Sequence, residues 1–152
     1  ERVEGRIFSP MANTVASALA GAVIYGSVID ATGVRPATDL AVAAGLDGIV
    51  ATNTTVARTG LASPSDLVAA AGSGGLSGAP LQERSMRVLE VLRTALPTGT
   101  AVVSVGGVTD ADDVQARLDA GADLVQGYTA FLYEGPFWAG RISAGLARTL
   151  RG

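Results

Sequence analysis

At 152 residues, 48% hydrophobic and 16% charged, the chain has room for one domain with a real core and is far from a disordered composition. Its net charge of −3, with no run of arginines interleaved with aromatics, argues against a nucleic-acid surface. Cys, His and Lys are all missing, which excludes disulfides, zinc–thiolate and histidine metal sites, Ser-His triads, Schiff bases and the P-loop lysine. Carboxylates, hydroxyls, amides, Arg and backbone N–H groups remain. That kit suits holding a ligand better than unaided proton chemistry, and neither a metal site nor a catalytic residue is assigned.

Charges alternate over residues 1–6, and none then occurs from Ile7 to Ile29. By length this run could cross a bilayer, but Ser9, Pro10, Asn13, Thr14, Ser17 and Ser27 make it weakly apolar and argue against a span. Glu1 and Glu4 likewise dilute the basic region a signal peptide needs. A buried Ala-rich helix fits Val15, Leu19, Val23 and Ile24, and Ala22–Tyr25 and Ser27–Ile29 fit strand equally well. Gly33-Val-Arg-Pro36 reads as a turn. A short helix is then expected over Ala37–Gly45, with Leu40, Ala41 and Ala44 on one face.

Asp47–Thr52 is a continuous apolar run, as a parallel strand covered on both faces requires, and it ends in the polar Asn53-Thr54-Thr55. Residues 56–80 are loop-rich, with a glycine cluster at 72–78, and a loop of that length is usually functional or mobile. The clearest helix spans Leu81–Leu96, where Val88, Leu89, Leu92 and Leu96 form a stripe and Pro97 ends it. Ala101–Val105 is the next buried strand. Asp110 caps a following helix, with Asp113 three positions on and Val114 and Leu118 turned inward. Asp123–Gly127 is a third strand, and Gly135-Pro136 opens a last helix to about Leu150, with Phe137, Trp138, Ile142 and Leu146 inside. This alternation implies parallel strands joined by right-handed crossovers. Three such strands with open edges rarely hold as a sheet alone, so the first 30 residues or another chain should supply more.

The candidate site lies where strands end. Gly106-Gly107 closes one strand and Tyr128-Thr129 the next, and two adjacent turns of this kind uncover backbone N–H groups near helix N-termini. A Gly-Gly pair alone is often only a tight turn; the second turn beside it matches the phosphate site after strands 7 and 8 of many (β/α)8 barrels. Tyr128 reads as core or as a ring beside a flat ligand. Asn53-Thr54 faces the same end of the sheet, and an amide with both donor and acceptor suits a carboxylate- or imide-bearing substrate, although an Asx turn explains it too. Gly74–Gly78 reads as a linker or as a loop that lets backbone approach a ligand. Arg58 and Arg84 read as solvated surface charges.

Taken in order, Asp47-Gly-Ile-Val-Ala-Thr-Asn-Thr-Thr55, Gly74-Gly-Leu-Ser-Gly-Ala-Pro-Leu81, Ser104-Val-Gly-Gly107 and Gly121-Ala-Asp-Leu-Val-Gln-Gly-Tyr-Thr129 resemble dihydroorotate dehydrogenases, most closely the quinone-dependent class 2 branch. The resemblance covers roughly residues 34–150. It implies an α/β fold that is part of a (β/α)8 TIM barrel, with the strands corresponding to barrel strands 6–8. Residues 1–33 form an unaligned apolar segment, and 34–152 the C-terminal part of an FMN-binding barrel. By the same resemblance Thr52, Gly78, Gly106, Gly107, Tyr128 and Thr129 would bind FMN, and Asn53 and Thr54 dihydroorotate or orotate. A quinone would be the electron acceptor, the pathway pyrimidine (UMP) synthesis, and the location cytoplasmic and peripheral on the inner face of the cell membrane. The family's flavin loop, two lysines and class 2 serine base match nothing in residues 1–33, so the chain is expected to lack a barrel half and to be inactive alone. Two other readings compete: a non-catalytic FMN- or phosphate-binding half-barrel, and another phosphate-binding barrel enzyme that shares only strands 7 and 8.

Overall fold

A computed structural model describes residues 31–149. The apolar run Ile7–Ile29, with its helix and strand alternatives, lies outside them. Among the described residues three parallel strands form one sheet in the order β1 (Gly48–Ala51), β2 (Ala101–Val105) and β3 (Leu124–Gln126). Gly48 stands opposite Ala101 and Ala51 opposite Ser104, while Val103 stands opposite Leu124 and Val105 opposite Gln126. All three strands therefore deliver their C-terminal ends to one side.

Helices alternate with the strands. Helix α1 (Ala31–Ala43) precedes β1; α2 (Ser65–Ala70), a short 3-10 turn (Ala79–Leu81) and α3 (Gln82–Ala95) lead to β2. Helix α4 (Ala111–Asp119) joins β2 to β3, and α5 (Thr129–Glu134) and α6 (Trp138–Thr149) follow β3. The main core lies between α1, α3 and the sheet, where Val34, Ile49, Leu89, Leu92 and Val102 are at most 2% exposed. A second cluster joins Val108, Val114 and Trp138, with Val125, Ile142 and Leu146 packed against it. At the N-terminal end of the strands, Asp123 accepts from the Val102 N–H at 2.8 Å, and Arg93 lies 3.6 Å from the same carboxylate. That end is latched by polar contacts among structural residues, leaving the opposite end for ligands.

Most elements fall where periodicity puts them, and the differences have physical causes. The expected turn at Gly33–Pro36 is part of α1, which runs through it. Val34, Thr38 and Ala41 share one face of that helix and are all buried, so packing outweighs a poor local helix propensity. In that phase Leu40 and Ala44 point outward and are exposed. The long loop 56–80 carries α2, which buries no residue, and a single antiparallel bridge between Thr55 and Leu76. Phe137, expected inside the last helix, precedes its first residue, falls out of its apolar phase and is 79% exposed. Leu118 is also exposed, and the fully buried partner of Val114 on α4 is Arg117.

Candidate anion-binding site

β2 leaves the sheet through Gly106 (φ 114°) and Gly107 (φ 74°), both in the left-handed region that disfavours any side chain. Space forbids one at Gly107 as well: a Cβ there would lie 2.4 Å from the Gln82 backbone nitrogen at the start of α3. The turn is fastened from beneath. The Gly106 carbonyl accepts from the Arg117 guanidinium at 2.6 Å and from the Ser85 hydroxyl at 2.7 Å. Its exit is fastened by Asp113, whose carboxylate accepts from the Thr109 N–H at 2.8 Å and from Gln82. Asp110 caps α4 by accepting from the Asp113 N–H, the cap anticipated from the sequence.

The β3 exit is built differently. Gly127 lies against the Trp138 ring, where a Cβ would come within 2.4 Å of the indole. Trp138 also donates from Nε1 to the Thr109 carbonyl at 2.8 Å, so one indole touches both exits. Tyr128 is 67% exposed, which removes the core alternative for it. Thr129 opens α5 and donates to the Ser77 hydroxyl at 2.9 Å. Gly78 (φ 84°) passes so near that a Cβ would meet the Thr129 methyl at 3.0 Å.

From β1, Thr52 is buried and turned to the sheet, its N–H and hydroxyl both donating to the Val105 carbonyl at 2.8 and 3.2 Å. Asn53 is exposed, and its Oδ1 accepts from the Thr54 N–H at 2.7 Å. Gly75 crosses Thr54 closely enough that a Cβ would stand 2.1 Å from its hydroxyl oxygen. Arg58, expected in solvent, pins this loop instead. It donates to the Thr55 carbonyl at 3.2 Å and to the Gly74 carbonyl. Arg84 is half-buried rather than fully solvated.

All eight sequence-derived positions line one pocket: Thr52, Asn53 and Thr54 just after β1, Gly78 in the long loop, Gly106 and Gly107 just after β2, and Tyr128 and Thr129 beyond β3. The pocket encloses about 150 Å³, below the range of roughly 300–1,000 Å³ for whole-ligand sites, which suits one end of a larger molecule. Its chemistry favours an anion. Among the described residues no carboxylate lines it, and the N–H groups of Gly107, Tyr128 and Thr129 have no hydrogen-bond acceptor there. Free N–H groups beside glycines form the concavity that binds phosphate in many proteins.

Sequence reasoning missed Ser77, Leu81 and Gly127 in the wall and Arg117 and Ser85 behind it. Two signals marked the last pair: Ser104 interrupts an apolar strand and Ser85 an apolar helix stripe, and buried hydroxyls need partners. Among the described residues no group of three or more potential metal ligands occurs, and no helix is long and apolar enough to cross a membrane.

A parallel β/α sheet whose strand ends wall one glycine-rich pocket is the arrangement of part of a (β/α)8 barrel. The dihydroorotate dehydrogenase family model matches residues 26–150, and the chain belongs to that family. The dihydroorotate dehydrogenase (quinone) of Clavibacter sepedonicus is 67% identical over 78 residues, 51% of this chain and 23% of that protein. The protein of the same name from Kocuria rhizophila is 67% identical over 78 residues, 51% of this chain and 22% of its own length. The crystal structure of the Eimeria tenella DHODH in complex with ferulenol superimposes with a TM-score of 0.71 at 31% identity, covering 82% of this chain and 32% of that one. The ligand-free form from the same organism gives 0.69 at 32% identity, with 77% and 32% covered. The matched stretch spans under a quarter of these curated relatives, and the fold is accordingly a partial barrel. Family membership sets aside the reading as an unrelated barrel enzyme sharing only two strands.

Proposed function

We propose that this chain forms the C-terminal third of a quinone-dependent dihydroorotate dehydrogenase barrel and holds the phosphate end of FMN. In this reading the Gly107, Tyr128 and Thr129 N–H groups and the Thr129 hydroxyl donate to the phosphate. Gly78 and Gly106 let backbone approach it, and Thr52 shapes the floor. The Tyr128 ring lies beside the flat part of the ligand. Asn53 and Thr54 orient dihydroorotate or orotate, the Asn53 amide matching the donor–acceptor edge of the pyrimidine ring. When bound, FMN would supply the redox chemistry that links two-electron oxidation of dihydroorotate to reduction of a quinone, held there by the phosphate-end donors named above. The chain's own groups bind and orient, and no pocket side chain is assigned a proton transfer. Oxidation of dihydroorotate in pyrimidine synthesis, at the inner face of the cell membrane where quinones are available, completes the proposal. A missing barrel half would carry the base.

The observation that carries this reading is the convergence of eight motif positions from four separate segments on one pocket that no carboxylate of the described residues lines. Titrating the 152-residue chain with FMN, followed by flavin fluorescence, tests it. A saturable change is expected, with no dihydroorotate-dependent reduction of a quinone analogue by the chain alone. No saturable change at high micromolar FMN overturns the cofactor assignment, and turnover by the isolated chain overturns the missing-half assignment.

A further inference from the structure

Arg117 is the largest fully buried side chain among the described residues, at 0% exposure. Its guanidinium donates to the Ser104 hydroxyl at 2.7 Å, the Ser85 hydroxyl at 2.9 Å and the Gly106 carbonyl at 2.6 Å, while its Nε has no partner. Among the described residues no carboxylate lies within ion-pair distance of it. Burial holds its pKa below the usual arginine value, and the charge of Asp113 pulls the other way. A buried cation without an ion-pair partner is costly, and the cost falls when an anion comes near.

The peptide geometry says where the anion belongs. The Gly106 carbonyl and the Gly107 N–H are parts of one planar trans peptide, so they point in opposite directions. Fixing the carbonyl inward on Arg117 and Ser85 aims the Gly107 N–H away from them, and Gly107 lines the pocket. We propose that Arg117 is a positioning residue of the phosphate site: it orients the Gly107 donor through the Gly106 carbonyl and places a buried positive charge behind the bound phosphate. This rests on the phosphate-site reading above and adds to it the residue that sets phosphate selectivity from outside the pocket wall.

Comparing FMN with riboflavin, which differ only by the phosphate, isolates the effect. Dissociation constants for both are measured by flavin fluorescence on the unsubstituted chain and on Arg117→Met, with far-UV circular dichroism to show that each is folded. The unsubstituted chain is expected to prefer FMN. Arg117→Met is expected to lose about tenfold or more of that preference, with riboflavin binding unchanged within twofold, and Arg117→Lys to recover part of it. A folded Arg117→Met chain with an unchanged preference overturns the inference. Should Arg117→Met fail to fold, Ser85→Ala removes one donor to the Gly106 carbonyl and leaves the cation in place. It should lower the preference about threefold, and an unchanged preference overturns the inference again. An unsubstituted chain that binds neither flavin, or both equally, overturns the phosphate-site reading and this inference with it; failure in that chain, rather than in a variant, tells the two apart.

Discussion

The two exits that wall the pocket are held by opposite means. The β2 exit rests on buried polar groups: Arg117, Ser85 and Ser104 are each at most 1% exposed, and Asp113 ties the following residues to α3. The β3 exit leads through Tyr128, 67% exposed, into a six-residue helix with no buried residue, where Leu132 is 59% and Tyr133 86% exposed. One exit is pre-organised by hydrogen bonds whose geometry is fixed before any ligand arrives. The other depends on the Trp138 ring against Gly127 and on a single hydroxyl pair. One pocket can thus be rigid on one side and lightly held on the other.

Removing what both exits share should have the largest effect. Trp138→Ala takes away the second core cluster's largest side chain and should cost about 3–5 kcal/mol of stability, read by urea denaturation with circular dichroism. A loss under about 1 kcal/mol would show that the exits are not joined through this indole. Next comes Gly107→Ala, which forces a side chain to φ 74° and into the start of α3. It should cost about 1–3 kcal/mol and weaken FMN binding, seen as a lower thermal midpoint and a higher dissociation constant. Unchanged FMN affinity would mean that this exit does not touch phosphate. The smallest effect belongs to the loosely held side. Thr129→Val should leave stability within about 0.5 kcal/mol while FMN affinity falls by about 0.5–1.5 kcal/mol for a lost hydrogen bond. A stability loss as large as that of Gly107→Ala would erase the contrast between the exits.

Residue patterns showed the scaffold better than the support of the site. Ala101–Val105 is a strand with the bounds expected, and α3 and the Asp110 cap lie where periodicity and capping chemistry put them, because each is decided by neighbours in sequence. The pocket positions were legible for another reason: strand-end glycines and short polar residues marked the two turns and Asn53-Thr54 as candidates, and the family resemblance added Thr52 and Gly78. Arg117 was not legible in that way. Hydropathy puts Leu118 inside α4, and the choice between neighbouring positions was made by two hydroxyls, on β2 and α3, that need a donor. Phe137 and Leu40 failed similarly, since helix phase is set by what the helix packs against. Local pattern defines elements; which face of each is buried is a tertiary decision.

The long loop's two adjacent glycines differ in a way their exposure conceals. Both Gly74 and Gly75 are solvent-exposed. A Cβ on Gly74 would meet nothing within 4 Å, whereas one on Gly75 would drive into the Thr54 side chain. Over generations, drift at position 74 would pass unnoticed. Drift at position 75 would displace a side chain on the pocket wall without altering any residue in it. A sequence of this family with another residue at 75 should then carry a smaller or repositioned side chain at 54, a pairing between two surface positions that distance along the chain would never suggest.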